Sequence, residues 1–241
     1  MTKLYGELAP WFHLLTAPED YADEADLYRT LILEEVPTAR EVLELGSGGG
    51  NNASHLKAHF SLTLVDRSPG MLELSAGLNP ECEHVAGDMR SIRLGRVFDA
   101  VFVHDAVAYM TTEADLRAVA ETAFVHCRPE GVALFVPDFV RERFRPNTSH
   151  GGHDGAERAL RYVEWMWDPN PGDTTYVVDF AYLLRDAAGE VRVEHDRHVC
   201  GLFDRRTWLE LLRRVGFSPE IRPADDIDHA GGELFVARKP G

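Results

Sequence analysis

Apolar and polar positions follow a helical period at the start of the chain and then alternate between two patterns. Residues 21–35, YADEADLYRTLILEE, place apolar side chains at helical spacing and stop before Pro37, so they predict an amphipathic helix. Five short apolar runs follow and predict strands, at residues 42–45, 62–65, 84–85, 100–104 and 132–136. Helical spacing between them predicts helices at 51–59, 71–78 and 113–127. Short apolar strands separated by helices indicate a parallel sheet with helices on both faces.

The pattern changes after residue 137. Residues 140–158 are polar and rich in glycine, and they predict a long loop. Three strand candidates, 160–167, 175–185 and 191–199, are joined by the turn-forming sequences DPNPGD and DAAGE, which predicts an antiparallel meander. A helix at 205–215 and strands near 220–222 and 234–237 then restore the α/β pattern. We predict a single domain over 1–241, with an N-terminal helical cap at 1–36 and an inserted loop and antiparallel β lobe at 137–200.

Composition narrows the class of protein. The 241 residues are 44% apolar and 27% charged, which is ordinary for a globular protein, and they carry a formal charge of −15. An acidic chain repels phosphate backbones and favours a cationic ligand, so nucleic acid is not expected as a partner; simple solubility explains the charge equally well. No run approaches the roughly 20 apolar residues of a membrane span, and no signal-peptide pattern is present. With three separated cysteines and no CxxC, we expect a cytoplasmic monomer or homodimer without a metal centre.

The sequence EVLELGSGGGNN, residues 41–52, joins an apolar strand to a cluster of glycines. A strand, turn and helix in this order place backbone N–H groups and a helix N-terminus against a ligand. Counted from Gly46, the pattern is GxGxG with Asn51 in the sixth place, where the dinucleotide fingerprint has its third glycine. The sequence also lacks the Lys-Ser/Thr pair of a phosphate-binding P-loop. The loop therefore fits a dinucleotide or a nucleoside triphosphate poorly.

Three acidic residues define the ligand more closely. Asp66 ends the second predicted strand, 20 residues after Gly46, where a carboxylate can accept both ribose hydroxyl protons. Asp88 follows the third strand, where it can accept a hydrogen bond from an adenine amino group. Glu44, two residues before Gly46, can orient a cationic amino group. A ligand with adenine, ribose and an amino acid end, but no phosphate, satisfies all three, and S-adenosylmethionine is that ligand.

These segments together resemble the class I S-adenosylmethionine-dependent methyltransferases. The resemblance rests on five motifs in the order and spacing of that family: VLELGSGGG, LTLVDRSPGML, AGDMRSI, FDAVFVHDAVAYM and CRPEGVALF. It covers residues 42–136 closely, together with LFDRRTWLELLRRVGF and the final strand. The N-terminal segment and the insertion resemble, more loosely, the small bacterial subgroup that includes amino-sugar N-methyltransferases. The implied fold is a Rossmann-like α/β sheet with helices on both faces and an antiparallel β insertion after the fifth strand.

The resemblance also implies a role for each residue of a cofactor site. Gly46, Gly48 and Gly50 would line the methionine and ribose, and Asp66 would hold the ribose hydroxyls. The other residues would contact the adenine (Arg67, Met71, Asp88, Met89), contact the methionine end (Glu44, His104) or close over the cofactor (Tyr21, with Tyr5 and Trp11). Core packing is the alternative for Met71 and Met89, and a helix N-cap is the alternative for Asp66.

Candidates for the acceptor side lie at the end of the fourth strand and in the insertion. His104 and Tyr109 are predicted as catalytic residues, with a cofactor contact and a pocket wall as their respective alternatives. Residues predicted to bind the acceptor are His13, Tyr109, His150, His153 and Tyr162. The loop SHGGHDG, residues 149–155, carries three potential metal ligands, but three ligands on one loop do not define a metal site. We expect an active-site lid or a solvent loop there.

The sequence therefore predicts an S-adenosylmethionine-dependent methyltransferase acting on a small molecule. N-methylation is preferred over O-methylation, because the chain is acidic and its looser resemblance is to amino-sugar enzymes. A protein or RNA methyltransferase is the first alternative, and the absence of a basic patch argues against RNA. The second alternative is a non-catalytic scaffold that binds the cofactor, since a fold does not by itself imply activity.

Overall fold

The computed structural model describes residues 2–224 and 232–241. The strands in these residues are β1 (Glu41–Leu45), β2 (Ser61–Asp66), β3 (Glu83–Ala86), β4 (Phe98–His104), β5 (Cys127–Val136), β6 (Asn147–Gly151), β7 (Ala159–Trp167), β8 (Thr175–Arg185), β9 (Val191–Gly201), β10 (Ser218–Ala224) and β11 (Gly232–Arg238). Over the same residues a seven-stranded sheet has the order β10–β11–β5–β4–β1–β2–β3. Strands β1 to β5 pair in parallel, whereas β11 is antiparallel to both β5 and β10. The predicted Rossmann-like α/β fold is confirmed.

Helices cover both faces of this sheet. They are α1 (Phe12–Leu15), α2 (Ala22–Glu35), α3 (Asn51–Leu56), α4 (Pro69–Leu78), α5 (Glu113–His126) and α6 (Arg205–Val215). The side chains of Ser68, Thr112 and Asp204 each accept a backbone N–H from the first turn, which fixes where α4, α5 and α6 begin. One buried apolar cluster packs α5 and α6 against the sheet, and another packs α2 and α3. Neighbouring residues of β1, Val42 and Leu43, belong to different clusters, because successive strand residues point to opposite faces.

A second sheet lies between β5 and α6, in the order β6–β7–β8–β9, and its strands are antiparallel. Three of these strands match the predicted meander. The first strand, β6, contradicts the prediction of a long loop over 140–158. It pairs with β7 from Asn147↔Met166 to Gly151↔Tyr162. The sequence did not reveal it because β6 is a polar edge strand, held by backbone hydrogen bonds instead of an apolar face.

At two further places a predicted boundary differs from the observed one by three residues or more. Helix α3 ends at Leu56 instead of residue 59, since the His59 and Phe60 N–H groups both turn back to the Leu56 carbonyl. Strand β5 begins at Cys127, five residues before the predicted start, with Glu130 in the left-handed region at φ 61°. The division into one domain with a cap and an insertion stays a prediction. No helix in residues 2–224 and 232–241 is long and apolar enough to cross a membrane.

Candidate active site

A cavity of about 350 Å³ opens at the carboxyl ends of β1, β2 and β4. In open α/β sheets this edge is where ligands bind. The N-terminal segment contributes Tyr5 and Phe12 to the cavity wall. Most of the predicted cofactor set also lies in the wall: Tyr21, Glu44, Gly46, Gly48, Asp66, Arg67, Asp88, Met89 and His104.

The glycine loop leaves β1 and stays close to β2. The N–H groups of Gly46 and Ser47 both donate to the Val65 carbonyl, at 2.7 and 3.0 Å. Gly46 has a φ of 80°, and a Cβ at this position would lie 2.3 Å from the Cβ of Ala106. Conformation and close approach therefore both require glycine at position 46. A Cβ at Gly48 would meet the Phe12 ring only at 3.9 Å, so the loop is open toward the cavity at that point.

Gly50 and Met71, two members of the predicted cofactor set, have structural contacts instead. Gly50 is the N-cap of α3 and packs against α4, where an added Cβ would lie 2.3 Å from the Ser75 hydroxyl. Met71 lies in α4 and is completely buried. Packing accounts for both residues, in agreement with the alternative that the sequence left open for Met71. Met89, in contrast, reaches the cavity wall beside Gly46.

Asp66 ends β2 at the cavity. Its Oδ2 accepts the Gly48 N–H at 2.9 Å, and its Oδ1 accepts the Ser68 N–H at 2.7 Å. The N-cap alternative for Asp66 is wrong, because the Ser68 hydroxyl caps α4 by accepting the Met71 N–H at 3.2 Å. Burial raises the pKa of Asp66, and the backbone N–H groups of Ser68, Gly48 and Arg67 oppose that shift. An ionised carboxylate has about four acceptor positions, so lone pairs remain for a ligand with adjacent hydroxyl groups.

Glu44 provides the clearest test of whether the cavity suits S-adenosylmethionine. Its side chain is 4% exposed, and its Oε2 has no hydrogen-bond partner among the described residues. Burial raises its pKa to about 8, and repulsion from Asp66 and Glu24 adds to the shift. A buried carboxyl group left without a donor fits a cationic amino group, since an ammonium would supply both the charge and the hydrogen bond. The methionine end of the cofactor carries such a group, so the residues present fit it.

Asp88 lies at the β3 end of the cavity and is part of an ion-pair network. Arg90 pairs with Asp88 at 2.7 Å and with Asp115 at 2.8 Å. The hydrogen bond from Arg90 holds the pKa of Asp88 below its usual range. Arg67 and Arg90 also line the cavity here. This end of the cavity therefore carries both arginine and aspartate side chains, and the charge of Arg90 is balanced by its two carboxylate partners.

His104 and Asp105 form the β4 end of the cavity. Nε2 of His104 lies 3.1 Å from Oδ1 of Asp105 and 3.5 Å from Oε1 of Glu24, and Nδ1 lies 3.3 Å from the Asn52 amide nitrogen. The His104 side chain is 7% exposed, whereas the Asp105 side chain keeps 45% of its surface exposed in the cavity wall. Asp105 has a φ of 37°, which is strained for a residue other than glycine. Such strain clusters at functional sites, so Asp105 joins His104 as a candidate.

Tyr109 comes from the short helical turn after β4 and lines the cavity. Its hydroxyl oxygen lies 3.0 Å from the Tyr5 hydroxyl and 2.7 Å from Nδ1 of His198. His13 contacts the glycine loop instead, with its Nε2 3.1 Å from the Gly49 carbonyl oxygen. The structure therefore brings Tyr5 and Tyr109 together at the acceptor side and places His13 behind the loop.

The insertion residues predicted to bind the acceptor lie away from the cavity wall. His150 is exposed on the edge strand β6, and His153 pairs with Asp20 at 3.0 Å. Tyr162 packs its ring against Gly151. Their role in acceptor binding stays a prediction that this placement does not support. In residues 2–224 and 232–241, no group of three or more His, Cys, Asp or Glu is placed to hold a metal ion.

The sequence prediction missed several residues that the structure brings to the site. Asn51 and Asn52 line the cavity from the first turn of α3, and their position directly after the glycines was a usable signal. His198 and Asp196 are buried on alternate positions of β9, which a strand-period search for polar side chains would have detected. Trp11 lies under the Arg158 guanidinium, with Cζ 4.9 Å from the ring centroid, instead of closing over the cavity.

Comparison with known proteins places these features in a family. A family model described as a methyltransferase domain matches residues 42–131. The chain is 32% identical over 220 residues to dTDP-3-amino-3,4,6-trideoxy-alpha-D-glucopyranose N,N-dimethyltransferase of Streptomyces venezuelae, covering 90% of this chain and 91% of that protein. It is 26% identical over 224 residues to dTDP-3-amino-3,6-dideoxy-alpha-D-glucopyranose N,N-dimethyltransferase of Streptomyces fradiae, covering 90% and 86%.

A solved structure supports the cofactor. The amino pentose methyltransferase of Micromonospora echinaspora involved in calicheamicin biosynthesis, with S-adenosylmethionine bound, superposes with a TM-score of 0.78 at 25% identity, covering 91% of both chains. S-adenosylmethionine is therefore the cofactor, and the predicted small-molecule methyltransferase activity is confirmed. The chain belongs to the class I S-adenosylmethionine-dependent methyltransferases, in the group that contains the amino-sugar N-methyltransferases.

Proposed function

We propose that this enzyme methylates the amino group of an amino sugar, which it accepts as a nucleotide-linked deoxy sugar. The observation that carries the proposal is the acidic wall at the β4 end of the cavity. Asp105 lies in that wall, and Glu24 and Asp138 are its charged neighbours. The relatives described above are named for dTDP-linked amino sugars, which supports this class of acceptor.

The two ends of the cavity differ in charge. Arg67 and Arg90 line the end at β3, whereas Asp105 lines the end at β4. Three strand spacings separate β3 from β4 in the sheet, which corresponds to roughly 14 Å. An ammonium group is therefore favoured at the β4 end, since the arginines lie at the other end, where Arg90 is already paired with Asp88 and Asp115.

The carboxyl groups of Asp105 and Asp138 are close enough to perturb each other, and Oδ1 of Asp138 is buried without a hydrogen-bond partner among the described residues. Asp138 Oδ2 also accepts the Tyr176 hydroxyl at 3.0 Å, which ties the pair to the inserted sheet. Although Asp105 faces the cavity, the protein surrounding both carboxyls removes much of their solvent and raises the pKa of each. Glu24 adds to the shift at Asp105, and Asp105 adds to it at Asp138. Adjacent carboxyls with a raised pKa share a proton. The pair then balances an ammonium charge and accepts the proton that the nitrogen loses before it attacks.

Methyl transfer requires alignment more than activation. S-adenosylmethionine supplies a methyl group already activated by its sulfonium, and a well-oriented reaction gains roughly 7–11 kcal/mol from alignment. Asn52 donates its amide hydrogen to Glu24 at 2.9 Å and contacts His104, which holds the wall behind Asp105 in place. The proposed task of Asp105 is to hold the amine at that wall with its lone pair toward the methyl group.

To test this proposal, purified enzyme is incubated with S-adenosylmethionine and each of a panel of acceptors, and the products are identified by mass spectrometry. The panel contains dTDP-linked 3-amino and 4-amino deoxy sugars, the matching sugars with a hydroxyl in place of the amine, and an amino sugar without the nucleotide. We expect one or two methyl groups on the dTDP-linked amino sugars and slower methylation of the unlinked sugar. Methylation of the hydroxyl analogues at a comparable rate, or of no amino sugar at all, overturns the proposal.

A further inference from the structure

A buried chain of hydrogen bonds runs from the cavity wall into the inserted sheet. The Tyr109 hydroxyl oxygen lies 2.7 Å from Nδ1 of His198, and Nε2 of His198 lies 3.1 Å from Oδ2 of Asp196. The same Oδ2 accepts the Leu4 N–H at 2.9 Å. Tyr109 lines the cavity, whereas His198 is 3% exposed and Asp196 is 6% exposed. A hydroxyl on the acceptor side is thereby connected to a buried carboxyl group.

Long-range packing creates this connection. Asp196, His198 and Cys200 occupy alternate, buried positions of β9, as the strand period requires. Tyr109 precedes His198 by 89 residues and comes from the turn that follows β4. The inserted sheet therefore supplies the groups that touch Tyr109 from behind.

The geometry determines which atoms carry hydrogen. Oδ2 of Asp196 already accepts the Leu4 N–H, so it also acts as an acceptor toward His198, whose Nε2 then carries a proton. Burial lowers the pKa of His198, and the opposing effect of Asp196 is smaller, which favours a neutral ring with one N–H. Nδ1 is then left with a lone pair, and the Tyr109 hydroxyl donates its single proton to it.

The direction of that hydrogen bond decides what Tyr109 presents to a substrate. The 2.7 Å contact with His198 is shorter than the 3.0 Å contact with the Tyr5 oxygen, and an imidazole nitrogen is a stronger acceptor than a phenol oxygen. The Tyr109 proton is therefore assigned to the imidazole, and the Tyr5 hydroxyl becomes the donor to the Tyr109 oxygen. With its proton committed and the Tyr5 hydroxyl donating to it, the Tyr109 oxygen offers only its remaining lone pair to the cavity. It therefore accepts a hydrogen bond from an N–H group and repels an oxygen that presents only lone pairs.

We propose that His198 and Asp196 are positioning residues that hold Tyr109 as a hydrogen-bond acceptor for the amine N–H of the substrate. The inference rests on the proposed amine acceptor and assigns these residues to the same site. Tyr109 and Asp105 then hold one N–H each, and the nitrogen lone pair is left for the methyl group. A primary amine can donate one N–H to each of these two groups, whereas a hydroxyl has a single proton and can satisfy only one of them, which favours the amine.

The kinetic test compares Tyr109→Phe, His198→Phe and the double variant on the acceptor that the wild type methylates. We expect each single change to lower kcat/KM roughly 10- to 100-fold, with the Kd of S-adenosylmethionine unchanged. The double variant should be no worse than Tyr109→Phe, because both changes remove the same interaction. The matched control is Tyr182→Phe, since this buried tyrosine on β8 has a hydroxyl without a hydrogen-bond partner in the described chain. Additive losses overturn the positioning role.

The second measurement needs no acceptor and separates this inference from the proposed function. Nitrogen NMR of His198 should show a protonated Nε2 and an unprotonated Nδ1 at pH 7. In the same spectra Asp196→Asn, whose amide can donate to Nε2, should show the proton moved to Nδ1. When this variant is added to the kinetic test, kcat/KM should fall about tenfold, so it also serves if His198→Phe does not fold. A protonated Nδ1 in the wild type overturns the inference even if amino sugars are methylated. Failure with every amino sugar overturns the proposed function and the amine role of Tyr109 together, whatever the NMR result.

Discussion

The part of the cavity that we propose binds the cofactor (the cofactor half) and the part that we propose binds the acceptor (the acceptor half) are held by contacts of different range. The cofactor half consists of the ends of β1, β2 and β3, where Glu44, Asp66 and Asp88 each lie within two residues of a strand end. The acceptor half joins the end of β4 to the inserted sheet. Tyr109 and His198 are 89 residues apart, and Asp138 and Tyr176 are 38 residues apart. Local strand and loop chemistry thus builds one half, whereas packing between two sheets builds the other.

Gly46→Ala should have the largest effect, because it affects the strand end on which the cofactor half depends. The added Cβ would lie 2.3 Å from the Cβ of Ala106, on a backbone with φ 80°. We expect a loss of about 2–5 kcal/mol in the free energy of unfolding, together with loss of cofactor binding. Urea unfolding measures the first and calorimetry the second. Gly77→Ala is the control, since its Cβ meets nothing within 4 Å and should stabilise helix α4. Equal stability of the two variants would contradict the expectation.

Glu44→Gln should remove a pH dependence of folding stability that arises from this one carboxyl group in the cofactor half. The pKa of Glu44 in the folded protein, about 8, exceeds the usual 4.5, so the folded state binds the proton more tightly than the unfolded chain. The free energy of unfolding without bound cofactor should therefore fall by roughly a few kcal/mol as pH rises from about 4.5 to about 8.

Thermal unfolding at several pH values, with and without S-adenosylmethionine, tests the Glu44 prediction. The slope should flatten in Glu44→Gln, and saturating cofactor should flatten it in the wild type, because an ammonium stabilises the ionised carboxylate. An identical slope in wild type and variant would assign the pH dependence to another group.

Asp66→Ala should weaken cofactor binding while leaving the acceptor half intact. Removing the carboxylate should cost on the order of 1.5–3 kcal/mol of affinity, the range for a hydrogen bond to a charged group. Calorimetry gives this Kd, and steady-state kinetics at saturating cofactor should show an acceptor KM within about twofold of wild type. An unchanged Kd in a folded variant would restrict Asp66 to holding the Gly48 and Ser68 N–H groups.

Asp105→Asn should show the opposite pattern to Asp66→Ala: acceptor binding should weaken and cofactor binding should not, and the effect should be smaller. We expect the acceptor KM to rise about tenfold, because the amide neutralises one side of the pair with Asp138, while the Kd of S-adenosylmethionine stays unchanged. Asp26→Asn, on the exposed face of α2, controls for the loss of one negative charge. If Asp105→Asn weakens cofactor binding and leaves the acceptor KM unchanged, Asp105 belongs to the cofactor half and its assignment to the acceptor half is wrong.

Much of the cofactor half could be predicted from the sequence. Glu44, Gly46 and Asp66 stand at fixed distances from strand ends, and a strand end determines position and direction within a residue or two. Gly50 and Met71 were predicted to contact the cofactor, but the structure gives them packing contacts instead. They belong to the same motifs, but contacts with α4 and burial within it decide which way they face.

The sequence by itself determined the parallel sheet, the glycine turn and the acidic strand ends, because periodicity and local backbone chemistry act over a few residues. Only the tertiary structure decided that His198 and Asp196 stand behind Tyr109, while His150 and Tyr162 lie away from the cavity. The edge strand β6 was equally hidden, since its polar side chains carry no alternation. Contacts between separate sheets depend on how their faces pack, and no spacing within one strand encodes that arrangement.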